Sequence, residues 1–352
     1  DIQLVLSLLF IGLAFGQLFW GPLSDSSGRK PAMYMGFALF IVGSLLSMVA
    51  GNFFLMLAGR FLQGIGAAGP RTVAVALIRD RFHGSEMAKV MSFIMTVFIL
   101  VPIFAPALGQ LILLFAGWRA IYGSFVLLAM MILVWLGLRQ AETLPGTSRR
   151  PFTLLNIGAA FREVLGSRVA MVYTLVAACI FGAFLSYLNT SQQIFQQQYG
   201  LGTQFPLYFA FLAIAVGVAS LLNSQMVMRF GMHTLANLAL LLMTILSWLF
   251  LLVVWLAGGH PALWLFMLLC LALFFCLGVL FGNLNSIAME PLGHVAGTAA
   301  AVIGSFSTLM AVILSFIIGQ AYDGTLYPMA MGFAILGSIS LVLTRKVDLP
   351  DN

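Results

Sequence analysis

Gly21-Pro22-Leu23-Ser24-Asp25-Ser26-Ser27-Gly28-Arg29-Lys30-Pro31 is a short charged stretch set between two long apolar runs. Charge is scarce elsewhere: Asp, Glu, Lys and Arg make up 7% of the 352 residues, 62% are hydrophobic, and the mean hydropathy is +1.09. Soluble domains carry about 25% charged residues. The chain therefore reads as a polytopic membrane protein, and this stretch as the turn joining two of its spans.

Working outward from the turn, eleven runs reach the ~20 apolar residues that a spanning helix needs. Their approximate limits are 3–20, 32–50, 53–78, 88–115, 119–138, 169–189, 204–228, 234–257, 262–288, 297–319 and 325–344. Lipid offers the backbone no hydrogen-bond partners, so the runs are expected to be helices and the fold all-α. Arg29, Lys30, Arg79, Arg81, Lys89, Arg139, Arg149, Arg150, Arg162, Arg168, Arg229, Arg345 and Lys346 fall on one set of loops, and Arg119 alone on the other. The positive-inside rule makes the first set cytoplasmic, together with the C-terminus. The net charge of +6 follows from that topology and calls for the bilayer, not nucleic acid, as partner.

Residues 139–168 hold Pro145, Gly146 and Pro151 with five basic residues and read as a cytoplasmic linker. The expected organisation is an N-terminal transmembrane half, 1–138, this linker, and a six-helix half, 169–352. The chain starts at Asp1 almost inside a span, so one further helix is expected upstream, which makes eleven spans of twelve. Two halves of six match a duplicated transporter whose substrate site lies between them. Arg229-Phe230-Gly231 faintly echoes the turn at 21–31. Cys179, Cys270 and Cys276 fall inside spans and read as packing. His83, His233, His260 and His294 sit at loops or span ends without metal spacing, so neither a metal nor a cofactor is expected. The segment from Gln192 to Gln198 reads as a polar external loop.

Three segments resemble signatures of the major facilitator superfamily. Gly21 to Pro31 is similar to its loop signature, and Arg60-Phe61-Leu62-Gln63-Gly64-Ile65-Gly66-Ala67-Ala68 to its fourth-helix signature. Pro102-Ile103-Phe104-Ala105-Pro106-Ala107-Leu108-Gly109 resembles the proline-rich element of its drug:proton antiporters. Gly16-Gln17-Leu18, Gly117-Trp118-Arg119 and His294-Val295-Ala296-Gly297-Thr298-Ala299 resemble the bicyclomycin-resistance and chloramphenicol/florfenicol-type efflux branch. Three positions depart from the pattern: Ser26 stands where arginine is frequent, Ala105 where glycine is usual, and Gln110 where a second glycine is frequent.

These segments carry physical expectations. Gly21 and Gly28 permit tight turning. Asp25 is expected at a helix N-terminus, which the resemblance places near Gly297. Arg29 is expected to pair with Asp80, so that Gly21, Asp25, Gly28, Arg29, Lys30 and Asp80 form a gating latch; the alternative is a solvated positive-inside loop. Arg60 and Arg71 are eleven residues apart on one helix, within about 20° of the same face. With Gln63 they are candidates for a cavity that couples to protons, or else they snorkel to an interface. Gly64 and Ala67 share their stripe and are expected to leave a thin groove. Pro102 and Pro106 are expected to bend their helix and Gly109 to permit close packing. Candidates for a substrate cavity are Gln17, Met95, Phe98, Phe184, Tyr187, Tyr208, Asn223, Asn283 and Asn285; the three asparagines serve equally as glue between helices.

Every acid in the chain lies at a span edge or in a loop. The resemblance therefore implies that the proton-carrying carboxylate belongs to the upstream helix. Arg60 would hold its pKa low, and a cationic or neutral drug would compete with the proton. The resulting expectation is a monomeric, proton-coupled exporter of small amphipathic drugs in a bacterial inner membrane. The alternatives are a same-fold exporter of a metabolite or nucleoside, and a truncated remnant that transports nothing. An enzyme is not expected, because no His, Asp, Glu or Ser cluster gathers near a membrane face.

Overall fold

The charged stretch is not a loop. Helix α1 (Ile2–Ser27) continues through Pro22 to Ser27, and the chain reverses at Gly28 alone before α2 (Arg29–Met48). Past the proline, three serine hydroxyls bond back to helix carbonyls. Ser24 Oγ donates to the Gly21 carbonyl at 2.9 Å, Ser26 Oγ to Leu23 O at 2.9 Å and Ser27 Oγ to Leu23 O at 2.8 Å. Gly28 has φ 106° and ψ 159°, a conformation open to glycine and strained for other residues.

The computed structural model describes residues 2–81, 90, 101, 104–144, 147, 149 and 154–348, and no strand occurs among them. After α2 come α3 (Phe53–Arg81), α4 (Phe104–Phe115), α5 (Arg119–Arg139), α6 (Leu154–Gly166), α7 (Arg168–Gln192) and α8 (Phe205–Phe230). The chain continues through α9 (Met232–Leu256), α10 (Leu263–Met289), α11 (Ala296–Gln320) and α12 (Tyr327–Asp348). Ten helices among the described residues are long and apolar enough to cross a membrane, and α4 is a shorter apolar one. Half of the expected span 88–115 lies outside the described residues, as do Met95, Phe98 and Pro102.

Within the linker 139–168, α6 occupies the second half. One expectation is corrected: the segment 192–198 is not a loop, since α7 passes into a π turn, Gln193–Gln198, in which Ile194 and Phe195 are fully buried. Burying these two apolar side chains holds the segment helical despite its glutamines.

The chain forms two compact units. The first comprises residues 1–95, 109–163 and 294–305; the second comprises 96–108, 164–293 and 306–352. The first is organised by glycines on α3. A Cβ on Gly64 would strike the Leu9 carbonyl of α1, and one on Gly12 would strike Phe61 O of α3. On the other flank, a Cβ on Gly66 would strike Phe40 N of α2, and one on Gly43 would strike Gln63 N. The thin groove expected beside Gly64 is thus filled by α1. A third side of α3 is closed by a core of Trp20, Ala32, Met33, Ala68, Val73 and Leu136. Trp20 Nε1 donates to Ile65 O at 2.7 Å, which ties its indole to α3.

In the second unit, α10 packs on α7, α8 and α9, and α12 packs on α7 and α9. Gly231, between α8 and α9, has φ 80° and ψ 154°, so this turn repeats the backbone conformation of Gly28. Among the described residues nothing lies within 4 Å of a Cβ placed on Gly109, so none of them makes the close packing expected there. Gly64→Ala is accordingly expected to lower the thermal unfolding midpoint sharply, at a cost of about 1–3 kcal/mol typical of overpacking or more. Gly109→Ala, inside α4 with open space at its Cβ, should not lower the midpoint and should add up to about 1 kcal/mol of stability. Fluorescence-detected thermal unfolding of the two purified variants checks the contrast.

Candidate functional site

Gly28 brings the end of α1 against the start of α2, and the end of α3 arrives beside them. Arg29 is buried there, with its side chain only 4% exposed. Its Nε donates to Asp80 Oδ2 at 2.8 Å, and its Nη1 donates to Asp25 Oδ1 at 2.6 Å and Ser24 Oγ at 2.7 Å. One guanidinium thus joins three helix ends. A buried cation needs such partners, because desolvation otherwise costs several kcal/mol. Asp25, expected at a helix N-terminus near Gly297, has Arg29 as its observed partner; the Gly297 side-chain position lies outside those described. Lys30 Nζ donates to Gly137 O at 3.2 Å on α5.

Glu142 completes this cluster, and the sequence reading passed it over as a loop acid. Its carboxylate accepts from the backbone N–H of Arg29 at 3.0 Å and of Lys30 at 3.1 Å, capping the first turn of α2. It also accepts from Thr143 N at 2.9 Å and Leu144 N at 3.0 Å. Thr143 Oγ1 donates to Asp80 Oδ2 at 3.4 Å. A Cβ on Gly28 would lie 2.6 Å from Glu142 Oε2, so glycine is needed there for space as well as for φ. Partial burial alone would raise the Glu142 carboxyl, but the four backbone donors outweigh it and hold the group below its ordinary value. The available signal was an acid three residues beyond the last turn of α5.

Deeper in α3, Arg60 Nε donates to Val5 O of α1 at 3.2 Å and Nη1 to Gln63 Oε1 at 2.6 Å. Gln63, 1% exposed, donates through Nε2 to Ser44 Oγ of α2 at 2.9 Å, and Ser44 donates to Phe40 O at 2.7 Å. The Tyr122 ring of α5 lies 5.8 Å from the guanidinium. Arg71, by contrast, is exposed on α3 and has no hydrogen-bond or ion-pair partner among the described residues. The two arginines share a face about 16 Å apart along the axis, but only Arg60 is built into a network. Gln17 Oε1 lies 2.7 Å from a Cβ placed on Gly304, over the backbone of α11. Pro106 lies within α4.

In the second unit Asn223 and Asn283 bond each other, Nδ2 of Asn283 donating to Oδ1 of Asn223 at 2.8 Å and the reverse bond spanning 3.4 Å. This reciprocal pair serves as glue between α8 and α10. Asn285 donates to Phe281 O on its own helix at 2.9 Å. Phe184 and Tyr187 join a network of rings, and Tyr208 stacks on Phe195 at 6.3 Å. His233, just after Gly231, lies 2.9 Å from Glu290 at the end of α10, a half-exposed counterpart of the Arg29–Asp80 pair. No group of metal-binding side chains occurs among the described residues.

The sequence profile described as Major Facilitator Superfamily matches residues 1–315. The chain belongs to this superfamily. Its members are transporters rather than enzymes, so the chain is a multi-pass membrane transporter by family. This major facilitator chain is 30% identical to the MFS-type transporter YdgK of Bacillus subtilis, over 98% of its own length and 87% of the relative's. It is also 30% identical to a bicyclomycin resistance protein homolog of Haemophilus influenzae, over 96% and 85%. A third relative, the multidrug resistance protein MdtL of Citrobacter koseri, is 30% identical over 86% and 75%. The drug-efflux branch of the superfamily fits these relatives. The crystal structure of a D-xylose-proton symporter superposes with TM-score 0.74 at 15% identity, over 97% of this chain and 85% of the other, a likeness of fold.

The Glu142 cap of this facilitator chain carries a pH signature. A carboxyl that titrates lower when folded contributes its full stability above the unfolded value, about pH 4.3. It loses that contribution as pH falls through the folded value. Glu142→Gln should cost about 1 kcal/mol, the size of a helix cap. Thermal unfolding from pH 8 to pH 3.5 should show a constant gap between wild type and variant down to about pH 5, closing below it.

Proposed function

We propose that the chain exports small amphipathic drugs or xenobiotics across a bacterial inner membrane, in exchange for protons, by alternating access. The observation that carries this reading is the Arg29 guanidinium held by Asp25 and Asp80. The pair ties the ends of α1, α2 and α3, so these ends cannot part without unmaking it. Ion pairs of this kind suit a latch that is made in one access state and broken in the other. The resistance proteins among the relatives support drugs as the cargo class. In this reading residues 1–138 and 169–352 are the two halves, the linker 139–168 and the C-terminus face the cytoplasm, and the protein works as a monomer.

Proton coupling is part of the same proposal. The described acids lie at helix ends or in connections, whereas Arg60 sits inside a span with remaining N–H donors beyond the two that bond Val5 and Gln63. A guanidinium so placed favours the ionised form of a carboxylate brought near it, and lets a substrate compete with a proton for that group.

Everted vesicles bearing the full-length protein test both parts. Uptake of several unrelated drugs should depend on an imposed proton gradient and collapse with a protonophore. Arg60→Ala should reduce it at least tenfold, while Arg162→Ala, in the linker helix, should leave it within twofold. Transport of a single metabolite would replace the drug reading. Gradient-independent transport, or an unaffected Arg60→Ala, would remove the coupling.

A further inference from the structure

Tyr187 of α7 is 1% exposed, and its ring is surrounded by phenylalanines. Phe274 meets it edge-on at 4.8 Å, Phe209 stacks at 5.8 Å, and Phe184 and Phe195 lie at 6.4 Å. Its hydroxyl is buried and has no hydrogen-bond partner among the described residues. A buried donor left unpaired is costly, and phenylalanine would fill the same space without that cost. The tyrosine therefore sacrifices stability for a polar atom that the packed protein does not use.

The surroundings indicate what that atom meets. Phe181, Phe184 and Tyr187 follow one another at three-residue spacing, with ring centroids 6.5 and 6.4 Å apart and planes within 28° of parallel. Phe281 joins them from α10, 6.1 Å from Phe181 and 5.6 Å from Phe184. Phe181, Phe184 and Phe281 are half-buried, whereas Tyr187 and Phe274 are closed off. The rings thus form a lane that runs from half-buried residues at one end to closed-off ones at the other, where the Tyr187 hydroxyl stands unpaired among the described residues.

We propose that this lane is a cargo subsite for a flat, uncharged aromatic ring, whose oxygen or nitrogen acceptor is bonded by the Tyr187 hydroxyl. The proposal rests on the exporter reading and narrows its cargo. Aromatic pairs gain from stacked and edge-on contact with a further ring. Among the described residues no carboxylate joins the lane to offset the desolvation of a cation, so in this proposal the choice between cationic and neutral cargo falls on neutral. Tyr187 acts as a specificity residue: the rings take the arene and the hydroxyl reads its substituent.

The test uses the full-length protein in lipid nanodiscs with three tritiated probes: 4-acetylbiphenyl, 4-ethylbiphenyl and (biphenyl-4-yl)methyltrimethylammonium. Wild type should bind the acetyl compound about tenfold more tightly than the ethyl one, the worth of one good hydrogen bond. The ammonium compound should bind more weakly than either. Tyr187→Phe should erase the acetyl preference, keep the ethyl affinity and raise the thermal midpoint by about 2 °C. Phe209→Leu should weaken both neutral probes together. A lowered midpoint in Tyr187→Phe, a retained acetyl preference, or tightest binding of the ammonium compound would overturn the proposal. The expected binding pattern without export from vesicles would sustain the subsite and defeat the exporter reading. Export unchanged in Tyr187→Phe, with no arene preference, would do the reverse.

Discussion

Everything in the first unit depends on α3 lying in backbone contact with α1 on one flank and α2 on the other. In lipid, apolar side chains gain nothing by turning from tails toward each other, so helices associate through close packing and polar bonds. Gly12 and Gly64 provide that closeness toward α1, and Gly43 and Gly66 provide it toward α2. The polar chain from Val5 O through Arg60, Gln63 and Ser44 to Phe40 O follows from it. Side chains of this length bridge three helices only where the axes are unusually near. The Arg29 cluster is the same arrangement seen at the helix ends, where charge replaces the amide.

The two units handle polar groups differently. The first satisfies its buried cations with carboxylates, amides and carbonyls, and its turn is sealed by Glu142 from a distant part of the chain. The second relies on rings: α7, α8 and α10 share a continuous aromatic network, and the Asn223–Asn283 pair satisfies itself. Its turn at Gly231 keeps the backbone of Gly28 but carries only the half-exposed His233–Glu290 pair, of a kind that contributes little stability. The two turns thus share a backbone conformation but not the strong electrostatics.

Much of this was legible in the residues. Apolar run length predicts the spans because the bilayer imposes it, and the described helices occupy the runs read for them. The Arg29–Asp80 pairing was readable because two opposite charges end adjacent helices in a chain almost free of charge. Gly21 and Pro22 suggested a turn over 21–27, whereas α1 runs through Pro22 to Ser27 and turns only at Gly28. Glu142 escaped because its partners are backbone amides 112 and 113 residues away, and an amide has no sequence signature. The asparagines were ambiguous for a similar reason: only the crossing of α8 and α10 decides that two of them face each other.

The π turn at Gln193–Gln198 has a consequence for the chain's history. A π turn is an α-helix that has taken in one extra residue without unwinding, and it rotates all that follows by roughly a quarter turn or more. Phe195 and Ile194 lie on the buried side within it, and Leu201 N reaches back to Phe195 O at 3.0 Å. Removing one residue from this segment would restore a regular helix and swing these two buried side chains toward the surface. The end of α7 is therefore a place where length, rather than composition, sets what the interior contains. A one-residue insertion or deletion there would remodel the aromatic interior more than most substitutions within it.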